Sequence, residues 1–261
     1  MTRGRAARKS TESAASLRRR WRPEDATGIG RQAVDQTRFV GRTHAITSPQ
    51  GATEDGHVDL RGLETGRGQS LSIKYLTLEQ LDLSHARGPL HIFETEVSDS
   101  RFDRISAANS VLDRLFVRCS FRSARLTRAR IGRRIVDCDF TGASLRKLTL
   151  GENTVFERCV FDGADLADAR LAGGRFVDCT FDDVALSALT TFDRCDFRGA
   201  LPDMGIARVV RCTRDGSPLP DDWTGRAQAE ELERDYVDRY AHAVRAGDAD
   251  TMPLEPESPP R

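Results

Sequence analysis

The feature that most constrains the fold of this chain is an apolar side chain at every fifth position of its central part. The regular members are Phe156, Phe161, Leu166, Leu171, Phe176, Phe181 and Leu186. Two places before each stands, in most cases, a small residue: Thr154, Cys159, Ala164, Ala169, Gly174, Cys179 and Val184. A period of five matches neither the 3.6 residues of a helical turn nor the two-residue alternation of a strand. The chain must therefore turn a corner every five residues, and four corners close a coil of about twenty residues.

The same spacing continues on both sides of this segment, with a step of four between Ile131 and Ile135 and a step of six between Leu186 and Phe192. One series of tripeptides marks the coils most clearly: Ser100-Arg101-Phe102, Cys119-Ser120-Phe121, Cys138-Asp139-Phe140, Cys159-Val160-Phe161, Cys179-Thr180-Phe181 and Cys195-Asp196-Phe197. This series predicts about seven stacked coils. It also predicts that the rings of Phe121, Phe140, Phe161 and Phe181 stack inside the shaft.

The repeated unit resembles that of a known family. Ala164-Asp165-Leu166-Ala167-Asp168 and Ala143-Ser144-Leu145 are similar to the loose Ala-Asp/Asn-Leu-x-x consensus of the pentapeptide-repeat family. The resemblance covers residues 76–200 and implies an all-β solenoid, folded as a right-handed quadrilateral parallel β-helix. It says little about function, because repeat solenoids carry many unrelated roles.

The flanking segments differ from the repeat in composition. Residues 1–35 are predicted to be a disordered basic tail, because eight basic residues and one acidic residue, Glu12, precede the turn at Pro23. Residues 36–75 are interpreted as an irregular N-terminal cap and residues 76–200 as the β-helix. Residues 201–247 are interpreted as a C-terminal cap with an amphipathic helix, and residues 248–261 as a disordered tail.

The predicted C-terminal helix has one apolar face, formed by Leu232, Tyr236, Tyr240 and Val244. This face either covers the last coil or packs against a second subunit. The sequence therefore allows a monomer or a homodimer formed through this helix.

Cysteine usage predicts a cytoplasmic location. Five of the six cysteines occupy the small inward position of the repeat, where they act as buried apolar residues: Cys119, Cys138, Cys159, Cys179 and Cys195. Cys212 falls outside this pattern and is expected to be the one exposed thiol. The first twenty residues lack the apolar core of a signal peptide, and no apolar run is long enough to span a membrane.

The charged residues cancel to a formal net charge of zero, so local asymmetry has to indicate the partner-binding surface. A basic set lies in the middle coils: Arg122, Arg125, Arg128, Arg130, Arg133 and Arg134. An acidic set lies towards the C-terminal end: Asp162, Asp165, Asp168, Asp182 and Asp183. The residues that precede the tripeptides alternate in sign and are expected to form a ladder of ion pairs: Asp99, Arg118, Asp137, Arg158, Asp178 and Arg194.

An enzyme is not expected, because the five histidines show no spacing typical of a metal site or a catalytic triad. No catalytic residue, metal site or cofactor is predicted. The first hypothesis is a non-enzymatic scaffold for protein–protein interaction. The second follows from the resemblance: some relatives mimic DNA, bind DNA gyrase or another topoisomerase, and confer quinolone resistance or self-protection. The third is binding of nucleic acid or another polyanion through the Arg-rich tail and coils.

The second hypothesis implies an acidic surface, and residues 76–200 depart from that pattern with 18 basic and 19 acidic residues. All three hypotheses therefore remain open from the sequence.

Overall fold

The computed structural model describes residues 12–22, 24–36 and 45–219. From residue 58 to residue 214 the chain forms a four-sided parallel β-solenoid of about eight coils. This confirms the predicted fold class, with about one coil more than the sequence indicates. The solenoid begins near residue 58, so residues 58–75 form the first coil rather than part of an irregular cap.

Sixteen short strands build the solenoid. In chain order they are β1 (Val58–Asp59), β2 (Leu71–Lys74), β3 (Thr77–Glu79), β4 (Leu81–Asp82), β5 (Leu90–Ser98), β6 (Val111–Val117), β7 (Arg130–Val136), β8 (Thr149–Leu150), β9 (Val155–Glu157), β10 (Arg170–Ala172), β11 (Arg175–Val177), β12 (Thr191–Asp193), β13 (Asp196–Arg198), β14 (Arg208–Val210), β15 (Thr213–Arg214) and β16 (Ser217–Pro218).

The four faces follow from the pairing of these strands. The first face starts with β1 and β4 and continues as single bridges from Arg101 to Thr180, and the second face consists of single bridges from Glu64 to Ala185. The third face stacks β2, then the N-terminal halves of the long strands β5, β6 and β7, and then β8, β10, β12 and β14. The fourth face stacks β3, then the C-terminal halves of β5, β6 and β7, and then β9, β11, β13 and β15.

The phenylalanine rings stack inside the shaft as the tripeptide series predicts. On the first face the centroid distances are 4.8 Å for Phe121 and Phe140, 5.2 Å for Phe140 and Phe161, and 5.3 Å for Phe161 and Phe181. These spacings approach the separation of neighbouring strands, so each ring lies above the ring of the previous coil. A second stack on the fourth face joins Phe156, Phe176 and Phe197.

The corners carry residues in the left-handed backbone region, which explains the five-residue period. On the corner after the first face, Ser123, Gly142 and Gly163 follow one another in successive coils with φ of 53°, 63° and 65°. Most departures from the five-residue spacing fall at the corner between the third and fourth faces, where β5, β6 and β7 run from one face to the next. One further change, between Leu186 and Phe192, falls at the corner between the second and third faces.

One member of the tripeptide series lies on another face. Cys195-Asp196-Phe197 stacks on the fourth face, where Asp196 pairs with Arg175 and Phe197 with Phe176. Only sixteen residues separate Phe181 from Phe197, which is one pentapeptide short of a coil. The last coil is shorter than the others, with seventeen residues from Asp196 to its partner Thr213, and β16 turns back antiparallel onto β15.

Two helices at the N-terminal end occupy the segment that the sequence predicts to be a disordered tail: α1 (Ala14–Arg19) and α2 (Asp25–Gln36). Ala26, Ile29 and Ala33 of α2 are buried in the same core as the first coils. The helix forms despite two glycines because this face is buried against the solenoid. The helices therefore form the N-terminal cap.

The contact between α1 and the first coil is close. A Cβ atom on Gly62, which has φ of 71°, would come within 2.7 Å of the Leu17 backbone. Arg20 donates hydrogen bonds to both carboxylate oxygens of Asp59, at 2.9 and 2.5 Å, and the Trp21 indole donates one to the Arg61 carbonyl at 2.7 Å. Asp59 is only 3% exposed, so this ion pair lies within the contact.

Candidate partner-binding surfaces

Part of the predicted ladder of alternating charges is present at the corner between the fourth and first faces. Arg118 donates hydrogen bonds to both oxygens of Asp99 at 2.6 and 2.7 Å, and Arg158 does the same to Asp137 at 2.6 and 2.9 Å. The hydrogen bonds from Arg118 hold the pKa of Asp99 below its usual value. Arg194 is not part of this column, because it lies on the corner after the third face and pairs with Asp193 at 3.3 Å.

The structure divides the basic set predicted from the sequence. Arg122 forms an ion pair with Asp139, and Arg133 pairs with Glu94 and, at 3.7 Å, with Asp113. Arg134 pairs with Glu157 at 2.9 Å. The charges of these three arginines are therefore paired within the chain. Residues in adjacent or second-nearest coils supply the opposite charges.

The other three arginines of the set are exposed and form no ion pair with any residue in the described part of the chain. Arg125 points outward from the second face, Arg128 lies on the next corner with φ of 58°, and Arg130 begins β7 on the third face. The three residues lie in one coil. They form the start of a basic strip that continues in the coils above.

This strip borders a groove of about 580 Å³ that follows the corner between the second and third faces. Its lining includes Arg128, Lys147, Thr149, Arg170 and Thr191, together with Asp168, Ala188, Leu189 and Arg208. Lys147 lies one coil above Arg128, and Thr149, Arg170, Thr191 and Arg208 follow one another above Arg130. Lys147 and Arg170 were not predicted from the sequence. The signal for them is their spacing, because Lys147 follows Arg128 by one coil length and Arg170 follows Arg130 by two.

The acidic set is also divided. Asp165 and Asp168 accept hydrogen bonds from Arg146 at 3.4 and 3.5 Å, and Asp168 accepts another from the Ser187 hydroxyl at 2.9 Å. Asp162, Asp182 and Asp183 lie together at the C-terminal end of the first face. Asp162 accepts a hydrogen bond from the Asp182 backbone N–H at 3.0 Å, and none of the three pairs with a cation among the described residues.

The repeat region matches known sequences. A family model described as Pentapeptide repeats (8 copies) matches residues 152–186. A segment of 70 residues is 36% identical to the pentapeptide repeat protein MfpA of Mycobacterium tuberculosis (strain ATCC 25618 / H37Rv). Residues 152–186 of the solenoid are pentapeptide repeats. The match to MfpA covers 25% of this chain and 38% of the curated relative, so the two are aligned over less than half of that relative.

Solved structures similar to this pentapeptide-repeat solenoid include a trypsin-treated variant of QnrB1, a plasmid-mediated fluoroquinolone resistance protein. It is 19% identical, with a TM-score of 0.39, and the match covers 66% of this chain and 92% of QnrB1. Another is HetL from the cyanobacterium Nostoc sp. strain PCC 7120, a pentapeptide repeat protein involved in heterocyst differentiation regulation. It is 14% identical, with a TM-score of 0.29, and the match covers 57% of this chain and 78% of HetL.

The fourth face of the pentapeptide-repeat solenoid carries an aliphatic patch that the sequence reasoning missed. We define the patch by outward side chains of β6, β7, β9 and β11: Leu115, Val117, Val136, Val155 and Val177. Leu115, Val117, Val155 and Val177 are half-buried and Val136 is buried. In the sequence, each patch residue is an apolar residue directly before or after a residue whose side chain points into the shaft. A search for apolar residues at every fifth position does not detect these flanking residues.

All six cysteines are buried free thiols. Cys212 is 1% exposed and stacks above Cys195 on the fourth face, and the Cys195 backbone N–H donates to the Cys212 sulfur at 3.4 Å. The prediction that Cys212 is exposed is therefore wrong, because β14 and β15 continue the coil on both sides of it. Burial raises the pKa of the Cys138 and Cys159 thiols well above the ordinary value.

The proposed cap or dimer face of Leu232, Tyr236, Tyr240 and Val244 lies outside the described residues, as do residues 1–11 of the predicted basic tail. Among the described residues, neither helix is long and apolar enough to cross a membrane.

Proposed function

We propose that this protein is a non-enzymatic scaffold that binds a protein partner on the outer surface of its solenoid. The observation that carries the proposal is the aliphatic patch of the fourth face. The shaft interior is filled by stacked side chains, so a solenoid of this kind offers its surface to a partner rather than an internal site. The buried free thiols fit the cytoplasmic location that the sequence predicts.

The patch has the composition of a protein-binding surface. Its aliphatic side chains stand in two outward columns over four successive coils. Val117 lies next to Val136 in one column, with Val177 beyond Glu157, and Leu115 and Val155 lie on either side of Arg134 in the other. The charged residues that interrupt these columns form ion pairs: Arg134 with Glu157 at 2.9 Å and Arg175 with Asp196 at 3.2 Å. Aliphatic side chains mixed with paired charges are compatible with a non-obligate protein interface, which as a whole is about as apolar as the rest of a protein surface. Since these charges are already paired, covering them costs less free energy than covering isolated ions.

A double substitution tests this surface. Val155→Lys combined with Val177→Lys places two charges in the patch, whereas Thr77→Lys combined with Thr213→Lys adds the same charges at the two ends of the same face. Quantitative mass spectrometry of pull-downs identifies partners, and binding to the purified partner is then measured. We expect the patch variant to bind about tenfold or more weakly, because the lysines remove the apolar contact of two half-buried valines and bring unpaired charges into the interface. Equal binding by both variants, with unchanged melting, contradicts the proposal.

DNA gyrase or another topoisomerase is the second candidate for the partner. The supporting observation is the acidic cluster of Asp162, Asp182 and Asp183, whose carboxylates form no ion pair with described cations. Such a cluster is the element of the acidic set that still offers negative charge to a DNA-binding surface. The basic groove on another corner argues for mixed rather than uniformly DNA-like electrostatics.

This candidate is tested with purified gyrase. Binding and inhibition of supercoiling are measured for the parent, for Asp162→Asn with Asp182→Asn and Asp183→Asn, and for a control with Glu79→Gln and Asp203→Asn. Weakening confined to the triple variant supports gyrase binding through the acidic cluster. No binding by the parent protein at micromolar concentration removes gyrase from consideration. A version without residues 1–11 tests the tail, because deleting residues 1–35 also removes the two helices that cover the core.

A further inference from the structure

The basic groove between the second and third faces differs from the other charged columns of the solenoid. At the corner before the first face, signs alternate from coil to coil, and arginines pair with the aspartates below them. At the groove, Arg128 and Lys147 lie one coil apart with the same charge. Neither forms an ion pair with a described residue, and the same holds for Arg125, Arg130 and Arg170.

The one carboxylate in the groove does not neutralise these cations. Asp168 is held by Arg146 at 3.5 Å and by the Ser187 hydroxyl at 2.9 Å, both on its second-face side. Like charges at adjacent positions repel one another, and this repulsion is relieved when an anion lies between them. The arrangement therefore favours an anionic ligand from outside the chain.

The groove also has a defined wall. The six-residue step between Leu186 and Phe192 adds one residue at this corner, and Leu189 projects there with 60% of its surface exposed. The added segment is held in place, because Thr190 is buried and its hydroxyl donates to the Leu166 carbonyl at 3.0 Å. Thr149 and Thr191 place hydroxyl groups between the cations. Guanidinium, ammonium and hydroxyl donors together suit phosphate oxygens.

The length of the groove indicates a chain of anions. From the coil of Arg128 and Arg130 to the coil of Arg208 there are four coil steps, which correspond to about 19 Å. One strand of a nucleic acid carries about five charges over that length. None of the described residues that line the groove is aromatic, so base stacking has no platform there.

We propose that this groove binds the phosphate backbone of a nucleic acid, without regard to base sequence. Arg128, Lys147 and Arg170 supply the central contacts, and Arg125 and Arg130 extend the strip at its N-terminal end. This function goes beyond protein binding on the fourth face and uses different residues.

The test is fluorescence anisotropy of the full-length protein with labelled single-stranded and duplex 20-mers of mixed sequence, over a range of salt. The groove variant carries Arg128→Glu, Lys147→Glu and Arg170→Glu. The matched control carries Lys74→Glu, Arg87→Glu and Arg104→Glu, which change the net charge equally in the N-terminal coils. We expect the groove variant to bind about tenfold or more weakly at 0.1 M salt. Its slope of log affinity against log salt should fall by about two to three relative to the parent.

Competitors separate this proposal from its alternatives. We expect inorganic pyrophosphate at millimolar concentration to compete weakly and poly-glutamate less well than unlabelled nucleic acid of equal charge. Poly-glutamate that competes as well as nucleic acid overturns the assignment in favour of an acidic protein ligand. Equal weakening in the control variant, or loss of binding only on removal of residues 1–11, also overturns it. Circular dichroism melting confirms that both variants keep the fold.

Discussion

At the scale of single residues, each inward side chain is held mainly by the same position in the coils above and below. Phe161 illustrates this, because its ring lies 5.2 Å from that of Phe140 and 5.3 Å from that of Phe181. A side chain removed from such a column leaves a gap that neighbours in the column cannot fill. Their backbones are fixed by hydrogen bonds between coils.

Phe161→Ala is therefore expected to lower the free energy of unfolding by about 3 to 5 kcal/mol. Phe161 is 2% exposed, whereas Phe93 is 40% exposed and serves as the control. Phe93→Ala should change stability much less, because its ring already contacts solvent. The measurement is the denaturation midpoint of both variants. A Phe161→Ala midpoint within a degree or two of the parent contradicts the packing described for this column.

Asp59 gives the fold a defined dependence on pH. Burial opposes ionisation of this carboxyl, but hydrogen bonds from Arg61 and Arg20 outweigh burial and lower its pKa to about 2. A lowered pKa stabilises the folded state above the unfolded pKa of about 4, and this contribution is lost as the pH falls from about 4 to about 2.

Asp59→Asn should therefore cost about 2 kcal/mol at pH 6. The difference from the parent should shrink between pH 4 and pH 2 and vanish below that range. Urea denaturation at pH 6, 4 and 2 measures it. A difference between the two proteins that stays constant over this range shows that ionisation of Asp59 does not stabilise the contact with α1.

At the scale of elements, the two N-terminal helices cover the first coil, which has no preceding coil to cover it. Every inner coil is covered on both sides, whereas the first coil is covered by α1 and α2 at its N-terminal side. Gly62 marks the contact, because any larger residue there meets the Leu17 backbone and also has an unfavourable positive φ.

Gly62→Val should therefore displace α1 without unfolding the later coils. We expect faster hydrogen exchange in residues 12–22 and 58–63, and nearly unchanged exchange in residues 135–197. Gly173→Val provides the control, since Gly173 also has positive φ but a Cβ there meets no atom within 4 Å. Equal effects of both substitutions on residues 12–22 contradict a specific helix contact.

The cysteine columns predict a low reactivity of the native protein towards thiol reagents. All six thiols are buried, and the pKa of Cys138 and Cys159 is raised by burial, which suppresses the reactive thiolate. Labelling with a thiol reagent at pH 7.5 without reductant should modify none of the six quickly, and all six after denaturation. Fast labelling of Cys212 in the folded protein contradicts the burial of the last coil.

At the scale of the whole molecule, the five-residue period was sufficient to predict the solenoid, since few folds satisfy it. The face on which each residue lies follows from counting coil lengths of 19 to 21 residues. Cys195 was misplaced because it follows Cys179 by only sixteen residues, less than one coil, whereas it lies a full coil of 21 residues after Gly174. The helix α2 was missed because its glycines weaken the helical signal, although Ala26, Ile29 and Ala33 have the spacing of a buried helical face.

The binding surfaces were harder to predict from the sequence than the fold. Whether an arginine of the basic set is paired depends on whether a carboxylate lies near it in a coil one or two steps away. Arg134 has such a partner in Glu157, whereas Arg130 forms no ion pair with a described residue. The sequence does identify Arg125, Arg128 and Arg130 as candidates. It does not separate them from Arg122 and Arg133, whose charges are paired within the chain.

The stacking of coils through axial hydrogen bonds gives the solenoid a direction of mechanical weakness. When the two ends are pulled apart, tension acts along the hydrogen bonds between coils, and the coils can detach from the end of the solenoid one after another. Each coil of about 20 residues then releases about 65 Å of chain. Single-molecule force measurements should show a series of such steps. Rupture of the Arg20–Asp59 contact at the N-terminal end should precede them when that end is held.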